Sequence, residues 1–514
     1  MEKQYDLIII GGGPGGYVAA IHAAKAGLSA AVVENRRVGG TCLNRGCIPA
    51  KAMIHASSLY REAVEGQRFG LFASEAAFDY GEILQYKQET IDGLVGGVEQ
   101  LLKANGVTLL AGTGTLLTPE GDLNRVAVRT SPGDAGEIYG TENVILASGS
   151  KPARIPVPGL DLPHVVDSDG LFALEDAPRS LVIIGGGVIG VEFATVFANL
   201  GTEVTIVEAL PKLLDNFDKE ISQNIKMILK KRGVEAHLNA LVKECVPGED
   251  DDVICRFEEK GKEQEISAEY VLVAAGRTPV TEGLFGDGIT LRQLEDPTEH
   301  PVKDADEHPV KDPDKNAGAV ITMNRRFVAV DEHFRTSMPG VYAIGDLIGG
   351  IQLAHAASAH GVRAIEEILR LRDSEGDGPV FAQDLSVIPA GVYTDPEIAQ
   401  AGITEARAKE QEIDVKVGKF IMTANGKSLI TKDERGFIKI VAGASDGKIL
   451  GAQMMCSRAT DMIEEFTTAI VNGLTVSDML RAIRPHPTYN EGIAEALEDV
   501  FGESTHTAPR RRPK

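Results

Sequence analysis

One pattern of apolar and polar positions occurs twice along the chain. Residues 5–34 read YDLIIIGGGPGGYVAAIHAAKAGLSAAVVE, and residues 180–208 read SLVIIGGGVIGVEFATVFANLGTEVTIVE. Each opens on an apolar run of strand length, from Tyr5 to Ile10 in the first copy. Each then passes a glycine cluster, enters a stretch with helical apolar spacing, and closes on a second apolar run ending in a glutamate, Glu34 or Glu208. Strand, helix and strand within about 30 residues predict a βαβ unit.

The glycines fall at G-x-G-x-x-G spacing: Gly11, Gly13 and Gly16, then Gly185, Gly187 and Gly190. Physics asks for each of them. The first makes the tight turn, the second lets backbone approach a pyrophosphate, and the third lets helix and strand pack closely. The helix start offers unpaired N–H groups and the positive end of its dipole to phosphate. The terminal acid, 18 residues past the last glycine in both copies, is spaced to receive ribose hydroxyls. A lone motif of this kind is often no more than a glycine-rich turn, but here the strand, helix and acid accompany it twice. Glu208 would repel a 2′-phosphate, and Ala209-Leu210-Pro211 supplies no arginine to receive one. The second nucleotide is therefore expected to be NAD.

Beyond these units the pattern loosens. Val271–Ala275 is a short apolar run before Gly276-Arg277, and Val341–Ile344 is another before Gly345-Asp346. Residues 295–316 are acidic, hold four prolines and carry a tandem EHPVKD at 299–304 and 307–312, which reads as a solvated loop. Its two histidines have no ligand cluster around them, and no metal is expected. From Phe381 onward, strands and helices alternate as in a further α+β domain.

Length and charge narrow the classes. The 514 residues suggest about three or four domains. Acidic side chains outnumber basic ones by 75 to 52, giving −23, which disfavours nucleic acid and anionic membrane surfaces as partners. No apolar run approaches the ~20 residues of a membrane span. The first strand follows Met1 with no signal-peptide pattern, so a cytoplasmic location is expected.

Five cysteines are too few, and odd in number, for a secreted disulfide framework. Cys42 and Cys47 lie five apart in GGTCLNRGCIPAK, just after the first βαβ unit. Thiols at this spacing can join if their Cα atoms come within about 7 Å. The run after Pro49 looks helical, which puts Cys47 near a helix start, where a thiolate is favoured. Two buried free thiols, or half a zinc site, are the competing readings. Zinc wants a second close pair, and Cys245 and Cys255, ten apart and without a nearby histidine, do not read as one. Near the C-terminus, PHPTYNE places His486 and Glu491 five apart across Pro487. A histidine oriented by a carboxylate is a suitable base for a thiol, although such a pair is more often structural.

GGTCLNRGCIPAK resembles the active-site signature G-G-x-C-x-x-x-G-C-x-P of the pyridine nucleotide–disulfide oxidoreductases, and H-P-T-x-x-E resembles a second signature of that family. The resemblance runs from about Tyr5 to Glu495. The wording GGGPGGYVAAIHAAKAG and LNRGCIP is most similar to the branch that oxidises dihydrolipoamide with NAD. It implies an α/β fold with two Rossmann-like domains, for FAD at 1–150 and for NAD at 151–280. It further implies a central domain at 281–378 completing the FAD site and a C-terminal α+β dimerisation domain at 379–514. By the same resemblance Cys47 is the thiol against the flavin and Cys42 the thiol that meets substrate. Lys51 and Glu192 flank the flavin near the nicotinamide, and the His486–Glu491 pair enters the active site from the other subunit of a homodimer. Gly40, Thr41, Lys51, Gly114, Ala147, Ser148, Gly149, Asp346, Leu353, Ala354 and His355 join the first glycine motif and Glu34 as FAD contacts, and Gly276 joins the second motif and Glu208 as an NAD contact. The lipoyl group would come from a lipoyl-bearing partner in a 2-oxo acid dehydrogenase or glycine cleavage complex.

Two departures stand out. Ala50 occupies a position usually held by serine, and Val280 one usually held by asparagine, where a hydrogen bond near the cofactors is at stake. The acidic segment and the basic tail Arg510-Arg511-Arg512-Pro513-Lys514 lie outside the family pattern. One alternative is a related flavin reductase for glutathione, another small disulfide or mercuric ion. Glu208 and the lack of cysteines after Cys456 weigh against it. The other is an FAD-containing non-catalytic regulator, against which Cys42, Cys47 and His486 all stand.

Overall fold

The computed structural model describes residues 4–294, 319–372 and 383–508, except positions 74, 132, 135, 433 and 434. The tandem EHPVKD segment and the basic tail lie outside the described residues. The chain forms two compact units: residues 1–52, 84–153 and 276–383 in one, and residues 53–83, 154–275 and 384–514 in the other.

The first unit is built on a seven-stranded sheet. Its centre is strand Gln4–Ile10, one residue longer than the apolar run predicts. Leu7 through Ile10 pair in parallel with Ala30 through Val33 on one side, and with Asn143 through Leu146 on the other. Leu7, Ile8 and Ile9 are fully buried, as expected of a parallel strand covered on both faces. Thr108–Ala111 extends the sheet beyond Ala30–Glu34, and the antiparallel strands Thr113–Glu120 and Leu123–Arg129 extend it beyond Glu137–Leu146. Val341–Ala343 also joins Glu137–Leu146, in parallel. Helix Pro14–Lys25 crosses between the first two strands, and helix Ala354–Arg372 lies against it. Small residues allow that contact: a Cβ on Gly361 would stand 2.6 Å from the Gly15 carbonyl oxygen.

The second unit repeats the βαβ theme. Its parallel sheet runs Glu235–Leu238, Glu203–Glu208, Ser180–Ile184, Tyr270–Val273 and Val165–Val166. The strand expected at 271–275 begins and ends earlier, at Tyr270–Val273. An antiparallel sheet of Ala240–Pro247, Val253–Glu259 and Lys262–Ala268 adjoins it. The C-terminal part is α+β, as the alternation after Phe381 predicts. A five-stranded antiparallel sheet centred on Ile449–Met455 and Phe437–Gly443 packs under helices, with Ile438, Met454, Phe466 and Leu497 in its core.

Candidate functional sites

The glycine loops of the two βαβ units have nearly the same geometry. Gly11 and Gly185 take φ values of +112° and +114°, which side chains rarely adopt. A Cβ on Gly16 would fall 1.9 Å from the Gly11 carbonyl oxygen, and one on Gly190 would fall 2.0 Å from that of Gly185. Helices Pro14–Lys25 and Val188–Asn199 start on Gly13 and Gly187, and neither start has a side-chain cap. Elsewhere in the chain Asp218, Thr404, Asn425 and Thr475 do cap their helices. Space is open over both glycines: a Cβ on Gly187 would meet nothing within 4 Å, and one on Gly13 only the Gly40 Cα at 3.9 Å. Uncapped N–H groups beside open backbone are what a pyrophosphate requires, so both loops fit a dinucleotide.

The terminal acids hold the loops in place. Glu34 accepts from Gly12 N (2.9 Å) and Arg36 N (2.9 Å). Glu208, which is buried, accepts from Gly186 N and from Leu210 N (2.6 Å).

The cysteine segment follows directly in the first unit. Gly39 N donates to Gly12 O (2.7 Å), which ties the GGTC turn to the glycine loop. Gly39 and Gly40 both take positive φ, and a Cβ on Gly40 would lie 2.6 Å from Gly13 Cα. Helix Gly40–Arg45 carries Thr41 and Cys42, and helix Cys47–Val64 begins on Cys47 itself. Cys42 and Cys47 form a disulfide with their Cα atoms 4.6 Å apart. Asn44, between the two cysteines and without a role legible in the sequence, donates through Nδ2 to Val38 O and Gly40 O (3.0 Å each) and so fixes the turn that carries Cys42. Lys51 sits one turn after Cys47 on the same helix.

The other expected FAD contacts lie in the same unit. Ala147 N donates to Ile10 O (2.8 Å), which brings Ala147-Ser148-Gly149 beside the glycine loop. Gly114 is small because a Cβ there would lie 2.9 Å from Ile10 Cγ2. Asp346 accepts from the Ser150 hydroxyl, and Arg277 donates to Ser150 Oγ and Ser150 O at 2.7 Å each. Neither Ser150 nor Arg277 was singled out from the sequence, because they lie 127 residues apart with nothing local to join them. Leu353, Ala354 and His355 form the start of helix Ala354–Arg372, where Leu353 O accepts from Ala357 N (3.0 Å). On that helix the buried His360 accepts from Gly345 N through Nδ1 (3.3 Å), and burial pushes its pKa down to about 4. Val280 bonds through its backbone alone: its N donates to Gly149 O (3.0 Å) and its O accepts from Ser148 Oγ (2.7 Å). These two bonds do not depend on which side chain stands at 280.

The Gly276 carbonyl accepts from Ala153 N (3.0 Å). Glu192 belongs to the second unit, on the helix that follows the second glycine loop, and accepts from Tyr393 N (2.9 Å).

Also in the second unit, His486 Nδ1 meets Glu491 Oε1 at 2.7 Å, while Glu491 Oε2 accepts from Thr488 N (2.9 Å). Glu491 is the first residue of helix Glu491–Asp499. Partial burial pushes its carboxyl up, but the Thr488 N–H and His486 outweigh this and hold it below the usual range. The His486 side chain is 77% exposed. A bond at Nδ1 leaves Nε2 directed outward, as a base for an incoming thiol requires. Thr488 is itself held, since its carbonyl accepts from Asn425 Nδ2 (3.0 Å). Among the described residues no helix is long and apolar enough to cross a membrane.

Comparison with known proteins agrees with this geometry. The family model for pyridine nucleotide-disulphide oxidoreductases matches residues 5–296 and 310–361, and breaks within the acidic segment. The model of that family's dimerisation domain matches residues 388–497. A dihydrolipoyl dehydrogenase of Geobacillus stearothermophilus is 39% identical over 503 residues, covering 98% of this chain and 97% of the relative. One from Halobacterium salinarum is 38% identical, covering 98% of each. Among solved structures, LpdA of Mycobacterium tuberculosis shares the fold, with a TM-score of 0.81 at 23% identity over 96% of this chain and 99% of that one. The HOCl-induced flavoprotein disulfide reductase RclA of Escherichia coli aligns with a TM-score of 0.75 at 27% identity, over 97% of this chain and 99% of that one. Matched by both models over most of its length, the chain belongs to the pyridine nucleotide–disulphide oxidoreductase family.

Proposed function

We propose that the chain oxidises protein-bound dihydrolipoamide to lipoamide, with NAD as final acceptor. The observation that carries this reading is a disulfide opening a helix, next to a glycine loop shaped for a dinucleotide, in a chain 39% identical to a dihydrolipoyl dehydrogenase.

His486 takes a proton from one thiol of dihydrolipoamide. Glu491 keeps the imidazole oriented and supports its positive charge. The resulting thiolate attacks Cys42 Sγ, forming a mixed disulfide as the Cys42–Cys47 bond breaks and Cys47 leaves as thiolate. The start of helix Cys47–Val64 favours that thiolate. The second substrate thiol then displaces Cys42, closing the lipoamide disulfide. Bound FAD supplies the route by which the electron pair leaves the dithiol for NAD. In the first loop Gly11, Gly13, Gly16 and Glu34 would hold FAD, with the Ala147–Gly149 turn and Asp346. Gly185, Gly187, Gly190 and Glu208 would hold NAD. The exposed His486, in a chain with a dimerisation domain, supports a base supplied to the partner's cysteines in a homodimer. The lipoyl group would arrive on a separate cytoplasmic protein.

The test mixes two inactive homodimers, Cys42→Ser and His486→Gln, after reversible dissociation. Loss of a general base costs about 10²–10⁴-fold, so each parent should be nearly silent. A heterodimer holds one site with both defects and one with neither, and dihydrolipoamide oxidation should return to about half of wild type. Verified heterodimers that stay silent would refute a base supplied in trans.

A further inference from the structure

Ten residues apart and without a histidine nearby, Cys245 and Cys255 do not read as a pair in the sequence. In the structure they are directly opposed across a hairpin. Their strands, Ala240–Pro247 and Val253–Glu259, run antiparallel, with Cys245 in register with Cys255. Two independent contacts fix the type of position. At the hairpin end Gly248 N donates to Asp252 O (2.7 Å), so pairs two residues further along, Val246–Ile254 and Glu244–Arg256, are hydrogen-bonded ones. Cys245 and Cys255 fall between these. Consistently, Cys245 N turns away from its partner strand and donates to Pro158 O (2.9 Å). At such non-hydrogen-bonded positions the Cα atoms lie about 4.5 Å apart and opposed side chains stand on one face. That is within the range a disulfide accepts.

Both side chains point into the core. Cys245 is 3% exposed and Cys255 fully buried, among Val182, Ile184, Val242, Phe257 and Val271. Both thiols are free and hydrogen-bond to each other. That bond and burial hold the proton on Cys255, while the same bond favours the thiolate at Cys245.

We propose that Cys245 and Cys255 form a second redox site, a buried cross-strand dithiol that hydrogen peroxide oxidises to a disulfide. The Cys245 thiolate attacks the peroxide: an S–O bond forms, the O–O bond breaks, and the departing hydroxide takes up a proton to leave as water. Cys255 Sγ then displaces the hydroxyl: the S–S bond forms, the S–O bond breaks, and a second water leaves with the Cys255 proton. Two thiols lose two electrons, and the peroxide takes both. Nothing in this step uses the Cys42–Cys47 pair or either nucleotide, so it stands apart from the proposed activity. Burial makes the reaction slow, because peroxide reaches the sulfurs only when the hairpin loosens.

The test counts thiols after denaturation in the purified full chain and maps crosslinks by mass spectrometry without reduction. With Cys42–Cys47 oxidised, three thiols remain: Cys245, Cys255 and Cys456. Prolonged exposure to millimolar peroxide should lower the count from three to one and yield a peptide linking Cys245 to Cys255. Cys456, also buried, is the internal control and should survive. Cys245→Ser and Cys255→Ala should give no such crosslink. Three thiols persisting in wild type would overturn the proposal, as would a count falling with no 245–255 linkage, or a new linkage through Cys456.

Discussion

The two glycine loops are nearly identical in backbone and differ in what lies on top of them. In the first, Gly39 N donates to Gly12 O; in the second, Leu214 N donates to Gly186 O (2.9 Å). The returning chain thus meets the middle glycine in the same way twice. In the first copy that chain is Gly39-Gly40, followed at once by Cys42. In the second it is Leu213 and Leu214, both buried, and a Cβ on Gly186 would come within 2.5 Å of Leu213 Cδ2. One loop leads into a redox pair, and the other has its middle glycine backed by buried leucines. On the proposed function, the βαβ unit would supply a phosphate cradle and a ribose acceptor. The segment after its second strand decides whether chemistry is attached.

The largest effects should come from the glycines the two loops share. Gly16→Ala and Gly190→Ala each drive a Cβ into a backbone oxygen about 2 Å away, which no rotamer change can relieve. A cost on the order of 3 kcal/mol or more is expected. If the loops are independent cradles, Gly16→Ala should purify without flavin, whereas Gly190→Ala should keep flavin and lose NAD binding. Flavin absorbance and NAD titration on the two proteins decide it, and matching losses in both would break the comparison.

Acid should separate them next. The first unit depends on His360, held neutral with a pKa of about 4 against an ordinary 6.5. Because the folded value is depressed, the unfolded chain binds the proton more readily between those values. The stability contributed is complete above about pH 6.5 and lost as pH falls toward 4, on the order of 3 kcal/mol at about 1.4 kcal/mol per pH unit. Protonation also removes the acceptor for Gly345 N–H, next to Asp346. Urea midpoints between pH 7 and 4.5 should fall steeply for wild type and less for His360→Gln. Parallel curves would show that His360 does not carry the acid response.

A smaller effect concerns cofactor choice. The Glu208 carboxylate, which we propose receives the NAD ribose, has no arginine in the Ala209-Leu210-Pro211 that follows it. Losing a charge-assisted hydrogen bond costs roughly 1.5–3 kcal/mol, so Glu208→Arg should weaken NAD by one to two decades and NADP by less. Equal dissociation constants of wild type for NAD and NADP would remove Glu208 as the selector.

What could be read from the sequence follows from locality. Both βαβ units, Cys42 with Cys47, and His486 with Glu491 are defined within about 30 residues, and each appears as a motif. Contacts closed by the fold over long separations do not: Arg277 on Ser150, Tyr393 on Glu192. Cys245 and Cys255 were missed for a different reason. Their hairpin turns through Gly248 and Asp252 with a bulge near Lys243, and that bulge shifts the register that alternation alone would suggest.

The smallest effect tests whether the open space over Gly13 and Gly187 is there for ligand. Both residues have ordinary extended backbone, φ −68° and −74°, so alanine fits without strain. An added methyl meets nothing closer than 3.9 Å at Gly13 and nothing within 4 Å at Gly187. Replacing glycine where the backbone already suits alanine usually stabilises by about 0.4–1 kcal/mol, by reducing the freedom of the unfolded chain. Gly187→Ala should therefore raise the unfolding midpoint slightly while weakening NAD, because the methyl stands where pyrophosphate must come close to backbone. Gly13→Ala should do the same to flavin, with less gain in stability because Gly40 lies nearby. Opposite signs for stability and affinity are the signature of a position kept small for its ligand. If Gly187→Ala bound NAD as tightly as wild type, the second loop would not be the phosphate cradle, and its likeness to the first would be one of backbone only.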